Sequence, residues 1–422
     1  MPLEKAILIQ VELKGKSSAH GEGALEELRR LSRTAGAQAV CEISARLASY
    51  NPATLVGKGK AEEMIQAVRE HNAAVVIMDA DLSPAQQRNL EDASGAKVID
   101  RTRLILDIFA ARARTREGEL QVELAQLSYL LPRLSGRGAA MMQQTGGIGT
   151  RGPGERKLEY DKRRIRTRIA KLKEELEAVK KERAVQRKKR AQVPLPQVAI
   201  AGYTNAGKST LLNMLSGGSK SVYADDLLFA TLDTSTRRAK LGNRSSALFT
   251  DTVGFIQRLP HTLVAAFQST LEEITHADCI LRVHDASSPL LEEQKKVVEQ
   301  TIGELEAGDI PALDVFNKLD VCPPHSVQAL RLKYPRALFV SARTGAGIPE
   351  LLEKTSAKLS AVWKPRRLLV PALAAELAGE IHSTCLVTGS EAAEQGVLML
   401  FNATDGTWER LKAKAAALDC ED

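Results

Sequence analysis

Eight consecutive residues, Gly202-Tyr203-Thr204-Asn205-Ala206-Gly207-Lys208-Ser209, fit the pattern G-x-x-x-x-G-K-[ST]. They follow an apolar run, Val198 to Ala201, and open a helical start, Ser209-Thr210-Leu211-Leu212. Strand, glycine-rich turn and helix in that order make a polyphosphate cradle, in which successive backbone N–H groups and a helix N-terminus face one anion. The same order constrains the fold, because such a cradle sits at the carboxyl edge of a parallel sheet flanked by helices. Gly202, Tyr203, Thr204, Asn205, Ala206, Gly207, Lys208, Ser209 and Thr210 are therefore candidate nucleotide contacts. Lys208 is expected to reach the terminal phosphates, and the Ser209 hydroxyl to join a Mg²⁺ shell. A chance glycine-rich turn has no reason to carry both flanks.

The base is named by Asn317-Lys318-Leu319-Asp320, placed just after the apolar run Ala312 to Phe316 and about 110 residues beyond the glycine-rich turn. A carboxylate at Asp320 can accept two hydrogen bonds from the N1–H and N2–H₂ edge of guanine, an edge that adenine lacks. Buried pairing of that kind discriminates by about 10⁴ or more. Ser341-Ala342-Arg343 follows the run ending at Val340 and supplies the remaining base-side loop, although a lone strand-to-turn serine would read the same way. Between these motifs lies Asp251-Thr252-Val253-Gly254. There the Asp251 carboxylate can hold Mg²⁺ through water and the Gly254 amide can meet a γ-phosphate. Thr231, in Phe229-Ala230-Thr231-Leu232-Asp233, is the candidate switch threonine, with Thr234 as its competitor. Lys208, Thr231 and Gly254 are expected to act on the reacting phosphate, and Ser209, Thr231 and Asp251 to serve the metal. Five motifs in this order predict a Ras-like P-loop GTPase domain, a doubly wound sheet that binds GTP and GDP.

The remaining chain divides by texture into residues 1–110, 111–192, 193–364 and 365–422. In the first part, short apolar runs at Ala6 to Val11, Val40 to Ile43, Ala74 to Asp79 and Lys97 to Asp100 alternate with helical stretches at Gly23 to Thr34, Lys60 to His71 and Ser83 to Ala93. That alternation predicts a parallel α/β domain. Leu120, Leu124, Leu127 and Leu131 then form one apolar seam that Pro132 should stop; Ile165, Ile169, Leu172, Leu176 and Val179 form another. Neither helix is stable alone, so the two seams are expected to pair as an antiparallel hairpin with its tip at 132–160. The tip carries seven glycines between Gly136 and Gly154 and almost nothing that could form a core. Val193-Pro194-Leu195-Pro196 punctuates the chain before the nucleotide domain. A small α+β appendix, strand-helix-strand-strand-helix, is expected after Arg366.

Charge sharpens this division. The chain carries a net +7, yet Asp161 to Arg190 alone holds fourteen Lys or Arg against five acids, a local +9 suited to phosphate contacts. With only 4% aromatic residues, base stacking is a poor source of affinity and recognition of nucleic acid by backbone and shape is expected. The other reading of this helix is a solvated charged face. Five scattered cysteines, Cys41, Cys279, Cys322, Cys385 and Cys420, exclude a C-x-x-C zinc framework and fit a reducing cytoplasm. No apolar run reaches the roughly 18 residues of a membrane span, and the start lacks the apolar core of a signal peptide, so a cytoplasmic protein is expected.

Longer stretches resemble one family, the HflX-type ribosome-associated GTPases of the Obg-related class. They are Leu55-Val56-Gly57-Lys58-Gly59-Lys60, Leu82-Ser83-Pro84-Ala85-Gln86-Gln87-Arg88-Asn89-Leu90, Val98-Ile99-Asp100-Arg101-Thr102 and Gly146 to Glu155, within a likeness spanning about residues 5 to 360. The resemblance implies a protein that binds the large ribosomal subunit with GTP, laying its N-terminal domain and hairpin on ribosomal RNA, and that splits or rescues stalled ribosomes. A monomer is expected. Lys58 and Lys60 are read as a turn and helix start rather than as a second phosphate site.

Two departures stand out. Phe255 follows Gly254 where Ras-like enzymes commonly place the glutamine that orients attacking water. Ribosomal RNA or a monovalent cation must then supply what the ring cannot, and Asn205 is similar to the asparagine of potassium-dependent relatives, which puts K⁺ forward. Thr234 replaces the proline the family usually has after Asp233. Two other classes of function remain open: an RNA-remodelling or ribosome-assembly factor with a regulatory GTPase domain, and a binding module that has lost hydrolysis.

Overall fold

A computed structural model of the chain describes residues 3–13, 19–134, 153–191, 195–217, 228–229, 234–241, 246–257, 268–371, 374–393 and 395–418. The fold is mixed α/β, and its contacts divide it into two units: residues 1–178 with 225–233 and 258–268, and residues 179–224 with 234–257 and 269–422. Among the described residues no helix is long and apolar enough to cross a membrane.

The first unit begins with four parallel strands, β1 (Glu4–Leu13), β2 (Ala37–Leu47), β3 (Val75–Met78) and β4 (Lys97–Asp100), in the order β2-β1-β3-β4. Their connections are the helices α1 (Ala19–Thr34), α2 (Lys58–His71) and α3 (Pro84–Ser94). Three of the family-like stretches, Leu55 to Lys60, Leu82 to Leu90 and Val98 to Thr102, lie at the joints of this sheet. Ser83 caps α3 in a reciprocal box with Gln86, whose side-chain N–H also donates to the Asn51 carbonyl at 2.9 Å. Asp100 caps α4 (Arg101–Arg112) and accepts from the Arg103 N–H at 2.8 Å, the Tyr129 hydroxyl at 2.9 Å and Arg133 at 2.9 Å. Burial pushes its carboxyl upward against those donors. Arg101 lies buried on Asp79 at 2.8 Å and on Glu27. Lys58 and Lys60 open α2 and pair with Glu62 and Glu63, as a turn and helix start would.

Helix α5 (Arg116–Arg133) runs one residue past Pro132, which sits in its last turn. Its buried face is also broader than the leucine seam: Val122, Ala125 and Tyr129 are buried while Leu124, Leu127 and Leu131 are half-buried. The reason is a second neighbour, α4, which a seam drawn for one partner does not anticipate. Helix α6 (Pro153–Ala191) buries Leu172 and Leu176, and Arg168 grips Glu123 of α5 with two hydrogen bonds of 2.7 and 2.6 Å. It begins at Pro153, inside the stretch expected as the tip; residues 135–152 of that stretch lie outside the described residues. Phe229 completes this unit with its ring edge-on to Phe109 at 4.6 Å, and the Leu228 N–H donates to the Thr34 hydroxyl at 3.2 Å.

The second unit is built on six strands: β5 (Gln197–Gly202), β6 (Ser235–Lys240), β7 (Ser246–Asp251), β8 (Cys279–Asp285), β9 (Ala312–Asn317) and β10 (Leu338–Phe339). Their order is β10-β9-β8-β5-β7-β6, parallel except for the antiparallel edge strand β6. That edge was not anticipated, because Ser235 to Lys240 shows no apolar alternation and buries only Ala239. Helices α7 (Lys208–Leu215), α8 (Gln268–Thr275), α9 (Leu291–Glu304), α10 (Pro324–Lys333) and α11 (Ile348–Val362) belong to the same domain. Leu211, Leu212, Phe249, Leu281, Val283 and Leu351 form much of its core. Beyond it, β11 (Lys364–Pro371), α12 (Ala375–Thr384), β12 (Leu386–Ala393), β13 (Gly396–Ala403) and α13 (Asp405–Leu418) make an antiparallel sheet of order β11-β13-β12 with two helices packed through Leu377, Ile381, Phe401 and Leu411.

Candidate functional site

The site forms where β5 ends. As a central strand it is buried through Ala201 and Gly202, so the chain leaves the sheet at the carboxyl edge with neighbours on both sides. Gly202 has no room for a side chain, since a Cβ there would meet the Val283 carbonyl oxygen at 2.3 Å. Asn205 (φ 60°) and Gly207 (φ 88°) are left-handed, and this bend curls the loop over the N-terminus of α7.

Lys208 folds back beneath the loop, its ammonium donating to the carbonyls of Gly202 at 3.2 Å and Tyr203 at 3.0 Å. Burial lowers its pKa to about 8; the charge of Lys318 adds to that shift and Asp251 opposes it. The Ser209 hydroxyl donates to the Asp251 carboxylate at 2.6 Å, so two of the three residues expected at the metal meet across α7 and β7. A hydroxyl and a carboxylate oxygen so close are hard oxygen donors that fit Mg²⁺ with substrate phosphates completing the shell. The Thr204 hydroxyl is buried with no partner among the described residues, which suits a loop whose missing partner is an oxygen-rich ligand. Thr210 lies in the first turn of α7, half-buried. Gly254 stands against the loop: a Cβ there would lie 2.8 Å from the Thr204 Cα and 3.0 Å from the Lys208 ammonium.

Beside this cradle Asn317, 1% exposed, joins two loops. Its amide N–H donates to the Ala206 carbonyl at 2.9 Å and its amide oxygen accepts from the Ala342 N–H at 2.9 Å. Asp320 accepts from the Ser341 hydroxyl at 2.7 Å and has Arg343 at 3.6 Å; the Ser341 bond, first, holds its carboxyl below the usual range. Lys318, left-handed at φ 68°, places its ammonium 2.8 Å from Asp285.

The structure thus gathers Gly202 to Thr210, Asp251, Gly254, Asn317, Lys318, Asp320, Ser341, Ala342 and Arg343 at one end of one sheet. Thr231 lies outside the described residues; Thr234 is described, half-buried, just before β6. Sequence reasoning missed Asp285, whose signal was its place at the carboxyl end of β8, and missed Gln257, whose backbone N–H donates to the Tyr203 hydroxyl at 2.9 Å. Phe255 is buried, 3% exposed, so its ring faces protein rather than a bound water.

Three family models match in succession: GTP-binding GTPase N-terminal over residues 22–110, GTP-binding GTPase Middle Region over 112–190, and 50S ribosome-binding GTPase over 197–318. A protein named GTPase HflX from Caldanaerobacter subterraneus is 47% identical over 356 residues, 84% of this chain and 81% of its own. Its namesake in Escherichia coli is 40% identical over 418 residues, 98% of this chain and 97% of its own. A GTP-binding protein from Sulfolobus solfataricus, solved in complex with GDP, is 23% identical over 85% of this chain and 99% of its own with a TM-score of 0.44, too loose a likeness to bear on the site.

Proposed function

Because the chain belongs to the HflX family of GTPases, and is a GTP-hydrolysing enzyme on that account, we propose that it binds the large ribosomal subunit in its GTP form, splits or rescues stalled ribosomes there, and leaves after hydrolysis to GDP. In this reading the four parts of the chain, 1–110, 111–192, 193–364 and 365–422, divide the labour. The N-terminal domain and the basic hairpin lie on ribosomal RNA, the third part binds nucleotide, and the last carries no assignment. The protein works as a monomer in the cytoplasm.

The observation that carries the nucleotide side is the Asn317 amide, bonded at once to Ala206 in the phosphate loop and Ala342 in the base loop. Triphosphate and guanine are thereby gripped as one object. Lys208 meets the β- and γ-phosphates, the Gly254 N–H meets the γ-phosphate, and Asp320 reads the base edge. Ser209 and Thr231, and Asp251 through water, would hold Mg²⁺, which when bound supplies positive charge to the phosphate oxygens. Phe255 leaves the attacking water without a side-chain guide, so hydrolysis is slow alone and waits on the ribosome. K⁺ held through Asn205 would be the alternative to ribosomal RNA as the activator; equal turnover in Na⁺ and K⁺, with and without ribosomes, removes it.

Sedimentation of ribosomal subunits with the protein tests the coupling. With a non-hydrolysable GTP analogue the protein should pellet with large subunits, and pelleting should fall steeply with salt as counterions are returned to the RNA. Equal pelleting of the empty, diphosphate and triphosphate forms would refute it.

A further inference from the structure

We propose that Tyr203 is a positioning residue for GTP hydrolysis: by accepting the Gln257 backbone N–H, its hydroxyl ties the chain after β7 to the phosphate loop and holds Gly254 beside Lys208. The inference rests on the reading of Gly202 to Ser209 as the GTP site.

Past Asp251 the chain does not leave the sheet. The Thr252 N–H donates to the Ile200 carbonyl at 3.3 Å and its hydroxyl to the same oxygen at 2.9 Å. Phe255 then forms a parallel bridge with Tyr203: its N–H donates to the Gly202 carbonyl at 3.0 Å, and its carbonyl accepts from the Thr204 N–H at 2.8 Å. Gly254 is pinched between these bonds, so close to Thr204 and Lys208 that no Cβ fits. Two residues past Phe255, the Tyr203 hydroxyl accepts from the Gln257 N–H at 2.9 Å.

The Tyr203 ring is 4% exposed, with Phe255 and Ile256 each at 3%. A buried tyrosine needs a partner for its polar tip, and here the partner is backbone. The bond therefore specifies where the segment lies rather than which side chains it carries. That matters in an enzyme with Phe255 in place of a water-orienting side chain, because the donors left to meet the γ-phosphate are the Lys208 ammonium and backbone N–H groups, which act by being held in place beforehand. Tyr203, one residue past β5, supplies the hold from outside the segment that follows β7.

Full-length Tyr203→Phe keeps the ring and removes the hydroxyl. A neutral hydrogen bond of about 1 kcal/mol corresponds to about fivefold in an equilibrium. The ratio of triphosphate-analogue to GDP affinity should fall by about that factor, the single-turnover rate with GTP should fall with it, and amide exchange at Phe255 and Gln257 should speed up. Equal weakening of both nucleotides together with a lower melting point would mean a merely structural tyrosine and would overturn the proposal, as would an unchanged ratio. In the unsubstituted protein without nucleotide the Gln257 amide should already be protected, and free exchange there overturns the tether whatever the variant's fate. Lys208→Ala, run alongside, tests the underlying site: normal nucleotide binding by that variant would remove the site assignment itself, a result distinct from any the Tyr203 variant can produce.

Discussion

Replacing Asn317 with alanine tests the idea that one side chain makes the phosphate loop and the base loop a single site. The change removes two hydrogen bonds of 2.9 Å and leaves the Ala206 carbonyl and the Ala342 N–H behind, on residues 0% and 3% exposed. Neutral bonds contribute about 1 kcal/mol each, and an orphaned buried group costs about 1–3 kcal/mol, so a loss of about 3 kcal/mol is expected. Asn317→Asp keeps the acceptor for Ala342 but sets a carboxylate against the Ala206 carbonyl, and should be at least as damaging. Trp363 and Trp408 both lie in the unit that carries the site, so tryptophan fluorescence during urea unfolding reports on it. With a slope of about 2–3 kcal/mol per molar, the midpoint without nucleotide should drop by about 1–1.5 M. GTP affinity should fall more than tenfold in parallel, because binding must then order two loops that the native protein holds ready. A midpoint shift under about 0.2 M with affinity within about threefold of the parent would refute the reasoning, since it would mean that water replaces the amide at no cost.

Two further predictions concern charge. Asp320→Asn presents an amide where the carboxylate accepts from guanine, so GTP affinity should fall by about 10⁴ while xanthosine triphosphate is tolerated; unchanged GTP affinity would end the base-reading role. The depressed pKa of Lys208, about 8, fixes the sign of a pH effect. Phosphate oxyanions favour the charged amine, so the bound form has the higher pKa and binding above pH 8 must take up a proton. Nucleotide affinity should be flat below pH 8 and should fall by up to about tenfold per pH unit above it. Titration calorimetry from pH 7 to 9.5 measures this, and a flat profile would show that the ammonium is not desolvated as the geometry requires.

Local chemistry was legible from residue order alone. A cradle for phosphate needs a strand, a bend and a helix start in close succession, and Val198 to Leu212 spell that out without help from the rest of the chain. The parallel sheet of the first unit was legible for a similar reason: apolar runs such as Lys97 to Asp100, buried from Val98 onward, alternate with helices of ordinary length. Strand β6 was not, because an edge strand buries one face in part and its polar sequence shows no period.

Long-range pairings belong to the tertiary structure. Asn317 reaches Ala206 across 111 residues, Tyr203 reaches Gln257 across 54, and Lys318 finds Asp285 across a sheet edge. The stretch Val98 to Thr102 stood out in the sequence as a family hallmark, yet only packing made Asp100 the cap of one helix and the anchor of another. Sequence determines which groups are available and what each can bond. Which of them meet is decided by strand order and by the buried, low-dielectric junctions it creates, where every polar atom must find a partner wherever in the chain that partner happens to lie.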